Sequence, residues 1–113
     1  QTYGETDWAA LLDLYTTLLE MTGSPIVALN RAVAVGKALG AREGVKAASK
    51  WTDHPALRGY YLFPSCMGHF MAELGEWELA RMHFQGALMC ECTEPERRFL
   101  KRRLEEVSRY ASR

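Results

Sequence analysis

Apolar residues recur along this chain at intervals of three and four, and nowhere in sustained alternation, so the periodicity is that of helices. Trp8, Leu11, Leu12, Tyr15, Leu18 and Leu19 form one such stripe. It predicts a first helix from about Asp7 to Met21, capped by Thr6 and stopped at Thr22-Gly23. Ser24 followed by Pro25 reads as a cap and first helical position for a second helix, running to about Leu39 before Gly40. Within it Ala28, Ala32 and Gly36 repeat every four residues, a flat stripe against which another helix can lie closely. A third helix is expected from Ala41 to about Trp51, with Gly44 at its crossing with the second. Thr52-Asp53-His54-Pro55 breaks the chain. A fourth helix is expected over about Leu62 to Leu74, with Pro64 in its first turn. The fifth runs from about Trp77 to Cys90. The sixth opens on the capping box formed by Thr93 and Glu96 and carries Phe99, Leu100, Leu104, Val107 and Tyr110 on its apolar face. The expected fold class is all-α, about six helices in antiparallel pairs.

The spacing Gly68-x6-Gly75-x4-Ala80-x3-Phe84-x2-Ala87 resembles the helix-turn-helix consensus of a tetratricopeptide repeat. There, small residues sit where two helices cross and an aromatic fills the gap. Ala32, Gly44 and Ala48 align with Gly68, Ala80 and Phe84 at a shift of 36 residues, a degenerate copy of the same unit. The resemblance implies helix pairs stacked as a short right-handed superhelix, with the first and last helices as caps. It also implies a concave face lined by the first helix of each pair, with Leu29, Val33, Leu62, Ser65 and His69 turned toward it.

A second resemblance covers nearly the whole chain. Asp7-Trp8, Leu14-Tyr15, the run from Ser24 to Val35, Gly59-Tyr60-Tyr61-Leu62, Leu74-Gly75 and Glu96-Arg97-Arg98-Phe99-Leu100 occur here in order. Together they are similar to the C-terminal, tetratricopeptide-like extension of certain extracytoplasmic-function sigma factors of bacterial RNA polymerase. The resemblance implies a regulatory domain acting in transcription initiation. Its expected partners are its own sigma core regions, RNA polymerase, or an associated small regulatory protein. Neither the sigma core nor a DNA-reading helix-turn-helix is expected within these residues. Met82, His83, Met89, Cys90 and Cys92 depart from the alanine- and leucine-rich pattern of that family's last two helices.

Composition adds bounds. With 113 residues, 48% of them hydrophobic and 25% charged, the expectation is one soluble domain over residues 1–113. Since the chain starts at Gln1, we read it as the C-terminal part of a longer protein. No apolar run is long enough for a bilayer span, so a cytoplasmic location with no membrane partner is expected. Net charge is zero, yet residues 96–113 hold seven Arg and Lys against three Glu, which leaves the remainder at −4. A basic end suits nucleic acid or an acidic protein surface, but a solvated helix face is the preferred reading because the overall balance is not basic, and no direct sequence-specific nucleic-acid contact is expected. The apolar stripe of the first helix is expected to be capped by upstream residues or, in a homodimer, by a second copy of this chain.

Candidate chemistry is sparse. Asn30 and Arg31, polar and mid-helix beside a packing stripe, suit either a partner contact or local pairing, Asn30 to backbone groups before the fourth helix and Arg31 to Glu73 or Glu20. Tyr60 and Tyr61 at a helix start, with Ser65 and His69, complete the candidate partner groove. Three cysteines, an odd number, are expected as free thiols. Cys66 with His69, and His83 with Cys90 and Cys92, include soft metal ligands, but their spacing does not match a zinc site, so no metal and no cofactor are expected. Ser65-Cys66 beside His69 lacks an evident oriented acid, and no phosphate loop is present, so no catalytic residue is expected. The alternatives are an adaptor unrelated to transcription, or a small-molecule or metal sensor around Asn30, Arg31, Cys66 and His69.

Overall fold

A computed structural model describes residues 6–111. They form six α-helices: α1 Trp8–Thr22, α2 Pro25–Leu39, α3 Ala41–Ser49, α4 Leu62–Glu73, α5 Trp77–Leu88 and α6 Glu94–Ala111, with a short 3-10 turn at Pro55–Leu57. No strand occurs among the described residues, and the fold is all-α. No described helix is long and apolar enough to cross a membrane. The chain gathers into two compact units, one ending at Trp51 and the other beginning at Thr52.

In the first unit α2 packs against both α1 and α3. Ser24 caps α2, its hydroxyl accepting from Val27 N at 3.3 Å, with Pro25 at the first helical position. The cap of α1 is Asp7 and not Thr6: the Asp7 carboxylate accepts from Ala10 N at 3.0 Å, while Thr6 offers its backbone carbonyl to Trp8 N. A carboxylate caps better than a threonine hydroxyl, and its charge suits the positive end of the helix dipole. A single residue, Gly40, ends α2 and begins α3. The buried set is small-sided: Ala28, Leu29, Ala32, Ala34, Val35 and Gly36 on α2, with Ala41, Gly44 and Ala48 on α3. The third helix stops two residues short of the expected Trp51, because Trp51 N turns to Ala48 O, three residues back, closing a tighter turn.

In the second unit α5 packs against both α4 and α6. The turn between α4 and α5 closes with Gly75 N to Ala72 O at 3.1 Å and Glu76 N to Met71 O at 2.9 Å, the paired bonds of a Schellman cap. That geometry places Gly75 at φ 74°, where a side chain would be strained. Ala80, Phe84 and Ala87 from α5 and Leu100 and Val107 from α6 form a buried cluster, flanked by Tyr61, Met71, Trp77 and Leu104. Phe84 abuts Gly68 of α4 so closely that a Cβ at Gly68 would stand 2.9 Å from its ring. The opposite chemistry meets the ring's face, where the Arg103 guanidinium lies 5.3 Å from the centroid. The fifth helix ends at Leu88 instead of Cys90. Met89 N and Cys90 N bond three residues back, and the Leu88 carbonyl is taken by Arg97 Nη1 at 3.1 Å.

All six positions aligned by the 36-residue shift are buried: Ala32, Gly44 and Ala48 in one unit, Gly68, Ala80 and Phe84 in the other. Small residues therefore recur where consecutive helices meet. The aromatic plug is present only in the second unit.

Two glycines separate close approach from mere exposure. Gly68→Ala is expected to cost about 1–3 kcal/mol, because the buried Phe84 ring has no room to retreat. Gly86→Ala, on the exposed side of α5 where an added Cβ meets nothing within 4 Å, is expected to stabilise by up to about 1 kcal/mol. Urea denaturation of both variants measures the difference; equal effects of one sign would refute the packing argument.

Candidate functional site

The candidate groove residues fall on both units. Asn30 and Arg31 lie on α2 in the first, and Tyr60, Tyr61, Ser65 and His69 lie at the start of α4 and along it in the second.

Asn30 and Arg31 are both half-buried. Arg31 Nε donates to Thr16 Oγ1 at 2.9 Å, and that hydroxyl donates onward to the Leu12 carbonyl at 2.7 Å. A guanidinium on α2 is thus tied through a threonine to the backbone of α1. Neither Thr16 nor this relay was evident from the sequence, where the nearest obvious partners for Arg31 were carboxylates. Its signal is weak because Thr16 is an unremarkable mid-helix residue fifteen positions away.

In the second unit the two tyrosines meet edge to face, their ring centroids 5.8 Å apart. Tyr60 makes a parallel backbone bridge with Glu91, which joins the approach to α4 to the loop after α5. Tyr61 packs on the α5–α6 cluster, with the Glu96 carboxylate near its hydroxyl. Burial first, and then the neighbouring Glu96 carboxylate, push the Tyr61 phenol up to about 12. Glu96 answers in the opposite sense. Its carboxyl is held below its ordinary range, first by the Thr93 backbone N–H at 2.8 Å and then by Tyr61. Thr93 Oγ1 accepts from Glu96 N at 3.3 Å, completing the expected capping box. The Thr93–Glu96 box opens α6, and Tyr61, packed on the α5–α6 cluster, brings the beginning of α4 beside it.

Ser65 is buried on α4. His69 stands one turn further and pairs with Glu73, Nε2 to Oε1 at 2.9 Å, both side chains well exposed. This carboxylate is the acid that the sequence reading did not find beside His69, although its four-residue spacing was visible. A hydrogen bond between Ser65 and His69 is not found among the described residues. Burial pushes the Cys66 thiol up to about 11, which keeps it protonated and weakly nucleophilic at neutral pH. Cys90 is also raised, by burial and then by Cys92, and burial holds His83 below the ordinary imidazole range. Cys66, Cys90 and Cys92 are all free thiols. Among the described residues no group of three or more His, Cys, Asp or Glu side chains is placed to hold a metal ion. A shallow depression of about 230 Å³ lies elsewhere in this unit, lined by Glu73, Trp77, Arg103, Glu106 and Tyr110 among others. Trp77 stacks on Tyr110 there at 4.5 Å, and Arg103 pairs with Glu106 at 2.6 Å.

No family model matches this chain. No solved structure matches it either. The chain is similar to an uncharacterized protein of Rhizobium meliloti (strain 1021), with 32% identity over 106 residues, which is 92% of this chain and 24% of that protein. It therefore spans about a quarter of the length of the curated relative it matches.

Two measurements follow from this geometry. Arg31→Ala is expected to destabilise the protein by about 1 kcal/mol through loss of the Thr16 tie. In a double-mutant cycle with Thr16→Val, the two losses should fall short of additivity by a similar amount; full additivity would show that the bond contributes nothing. In an alkaline titration of tyrosinate absorbance, one of the five tyrosines should ionise late, near pH 12, and Tyr61→Phe should remove that phase. Because the folded-state value is raised above the usual 10, the stability linked to this group is complete below about pH 10 and is lost as pH rises through about 12. Thermal stability of the Phe variant should accordingly fall less over that interval.

Proposed function

We propose that this chain is a non-catalytic protein-interaction module of the kind appended to extracytoplasmic-function sigma factors, and that it modulates transcription initiation by docking on a protein partner. The observation that carries the reading is the ordered series of family-like segments between Asp7 and Leu100, in a chain whose helices are joined by small-residue crossings. The chain's similarity to part of a considerably longer protein suits a module that works within a larger whole. On this reading the partner is the sigma core, RNA polymerase or a small associated protein, and the setting is the bacterial cytoplasm.

The contact residues are drawn from Asn30, Arg31, Tyr60, Tyr61, Ser65 and His69, and their surroundings rank them. Tyr61 and Arg31 are engaged in holding helices together, and Ser65 is buried. His69, exposed on α4, and Tyr60, half-buried before it, are better placed to meet a partner without loss of fold. An aromatic and an imidazole offer apolar area together with a hydrogen-bonding edge, the chemistry that dominates protein interfaces.

With the protein immobilised, a sigma core fragment and RNA polymerase should each be tested by biosensor titration. Saturable binding of one of them is expected, weakened about tenfold or more by Tyr60→Ala with His69→Ala while the melting temperature stays nearly unchanged. A well-folded protein that binds neither would overturn docking on the sigma core or on RNA polymerase.

A further inference from the structure

The helices α1 and α6 carry complementary faces that are largely exposed. Although α1 is rich in large apolar residues, none of its residues is fully buried. Leu14 and Met21 are 52% and 76% exposed. Beside them stand Asp13 and Glu20, also exposed, and α1 has no basic residue. The outer side of α6 shows the reverse charge. Phe99 and Tyr110 are 46% and 48% exposed, and Arg98, Arg102 and Arg109 form an exposed column next to them, with Glu105 on its outer edge. Among the described residues, the side-chain ion pairs do not use Asp13, Glu20, Arg98, Arg102 or Arg109.

The registers agree. Asp13 and Glu20 are seven residues apart, as are Arg102 and Arg109, so each pair spans about 10.5 Å on one helix face. In Asp13-Leu14, Glu20-Met21, Arg98-Phe99 and Arg109-Tyr110 the charged residue comes immediately before the apolar one. Each charge column therefore lies on the same side of its apolar column. Two right-handed helices of this pattern, laid face to face and antiparallel, bring charge onto charge and apolar onto apolar. Asp13 then faces Arg109, Glu20 faces Arg102, and Leu14 and Met21 meet Tyr110 and Phe99. Ala10 and Thr17, small and exposed along the middle of the α1 face, allow the second helix to approach.

We infer that the outer face of α1 receives the outer face of α6 from a second copy of this chain, a head-to-tail contact between different surfaces. Acid matched to base chooses the partner and the register; the apolar residues supply adhesion. Such a contact leaves one α1 face and one α6 face free in each pair, so association continues beyond dimers unless it closes into a ring. The face is small, and association is weak and dependent on concentration and salt.

Sedimentation velocity over a concentration series tests this on the protein itself. The wild type should sediment progressively faster with concentration, and less so when ionic strength rises from about 0.05 to about 0.5 M. Asp13→Lys with Glu20→Lys, and separately Arg102→Glu with Arg109→Glu, should each weaken association about tenfold or more through like-charge contact. Circular dichroism and a melting curve establish that each variant is folded. Mixing the two variants in equal amounts should restore association, because every α1 face then meets an α6 face of opposite sign. A wild type that stays monomeric at all concentrations overturns the inference and leaves these faces to another protein or another segment. So does association that survives both reversals, or variants that fail to recover on mixing.

Discussion

The second unit depends on the contact between Gly68 and Phe84. Helices packed side by side normally keep their axes about 8–10 Å apart, with side chains filling the interval. Here the glycine removes the filling on α4, and a single aromatic on α5 occupies the vacancy to within 2.9 Å of where a Cβ would stand. Phe84, only 1% exposed, then becomes the floor on which α6 rests through Leu100, Val107 and the Arg103 guanidinium. One small residue and one large one thus position three helices. The first unit uses the same crossing with Ala32, Gly44 and Ala48 and no plug, so its packing relies on backbone proximity with less apolar volume per contact.

A polar device completes what the aromatic begins. Tyr61, just before α4, packs on the α5–α6 cluster with the Glu96 carboxylate of α6 near its hydroxyl, while Thr93 N holds that carboxylate at the helix start. The Tyr60–Glu91 bridge reinforces this join, and Arg97 covers the last carbonyl of α5. Each of these groups satisfies a helix end that would otherwise leave donors or acceptors unpaired. Their effect is to place the beginnings of α4 and α6 relative to one another. Tyr61 is therefore part of the frame before it is available to any partner, whereas Tyr60 enters the frame through its backbone.

Local chemistry explains which parts were legible from sequence. Ser24-Pro25, Gly75 and the Thr93–Glu96 box mark helix ends through bonds that reach three to five residues, and the structure shows them where the sequence placed them. Asp7 and Thr6 are adjacent plausible caps, and only the reach from Asp7 to Ala10 N decides between them. The shortened end of α5 depends on Arg97, nine residues away, and the role of Arg31 depends on Thr16, fifteen away. Such partners follow from helix packing, which residue spacing does not specify. The His69–Glu73 pair is a different case. Its four-residue spacing on one helix is a local pattern, legible without any knowledge of how the helices pack.

The exposed apolar residues of α1 and α6 bear on what these two faces can meet. An internal helix hides its apolar stripe against both neighbours, as α2 and α5 do here. Among the described residues α1 packs chiefly on α2 and α6 on α5, which leaves one side of each toward solvent. Neither exposed side is fully polar. Leu14, Met21, Phe99 and Tyr110 remain in contact with water at an energetic cost, which the adjoining charges offset only by keeping the surface soluble. A like-charged pair of such faces would repel copies of the chain, whereas opposite signs on the two make each face compatible with the other and incompatible with itself. Charge thus imposes direction on a contact whose adhesion is apolar.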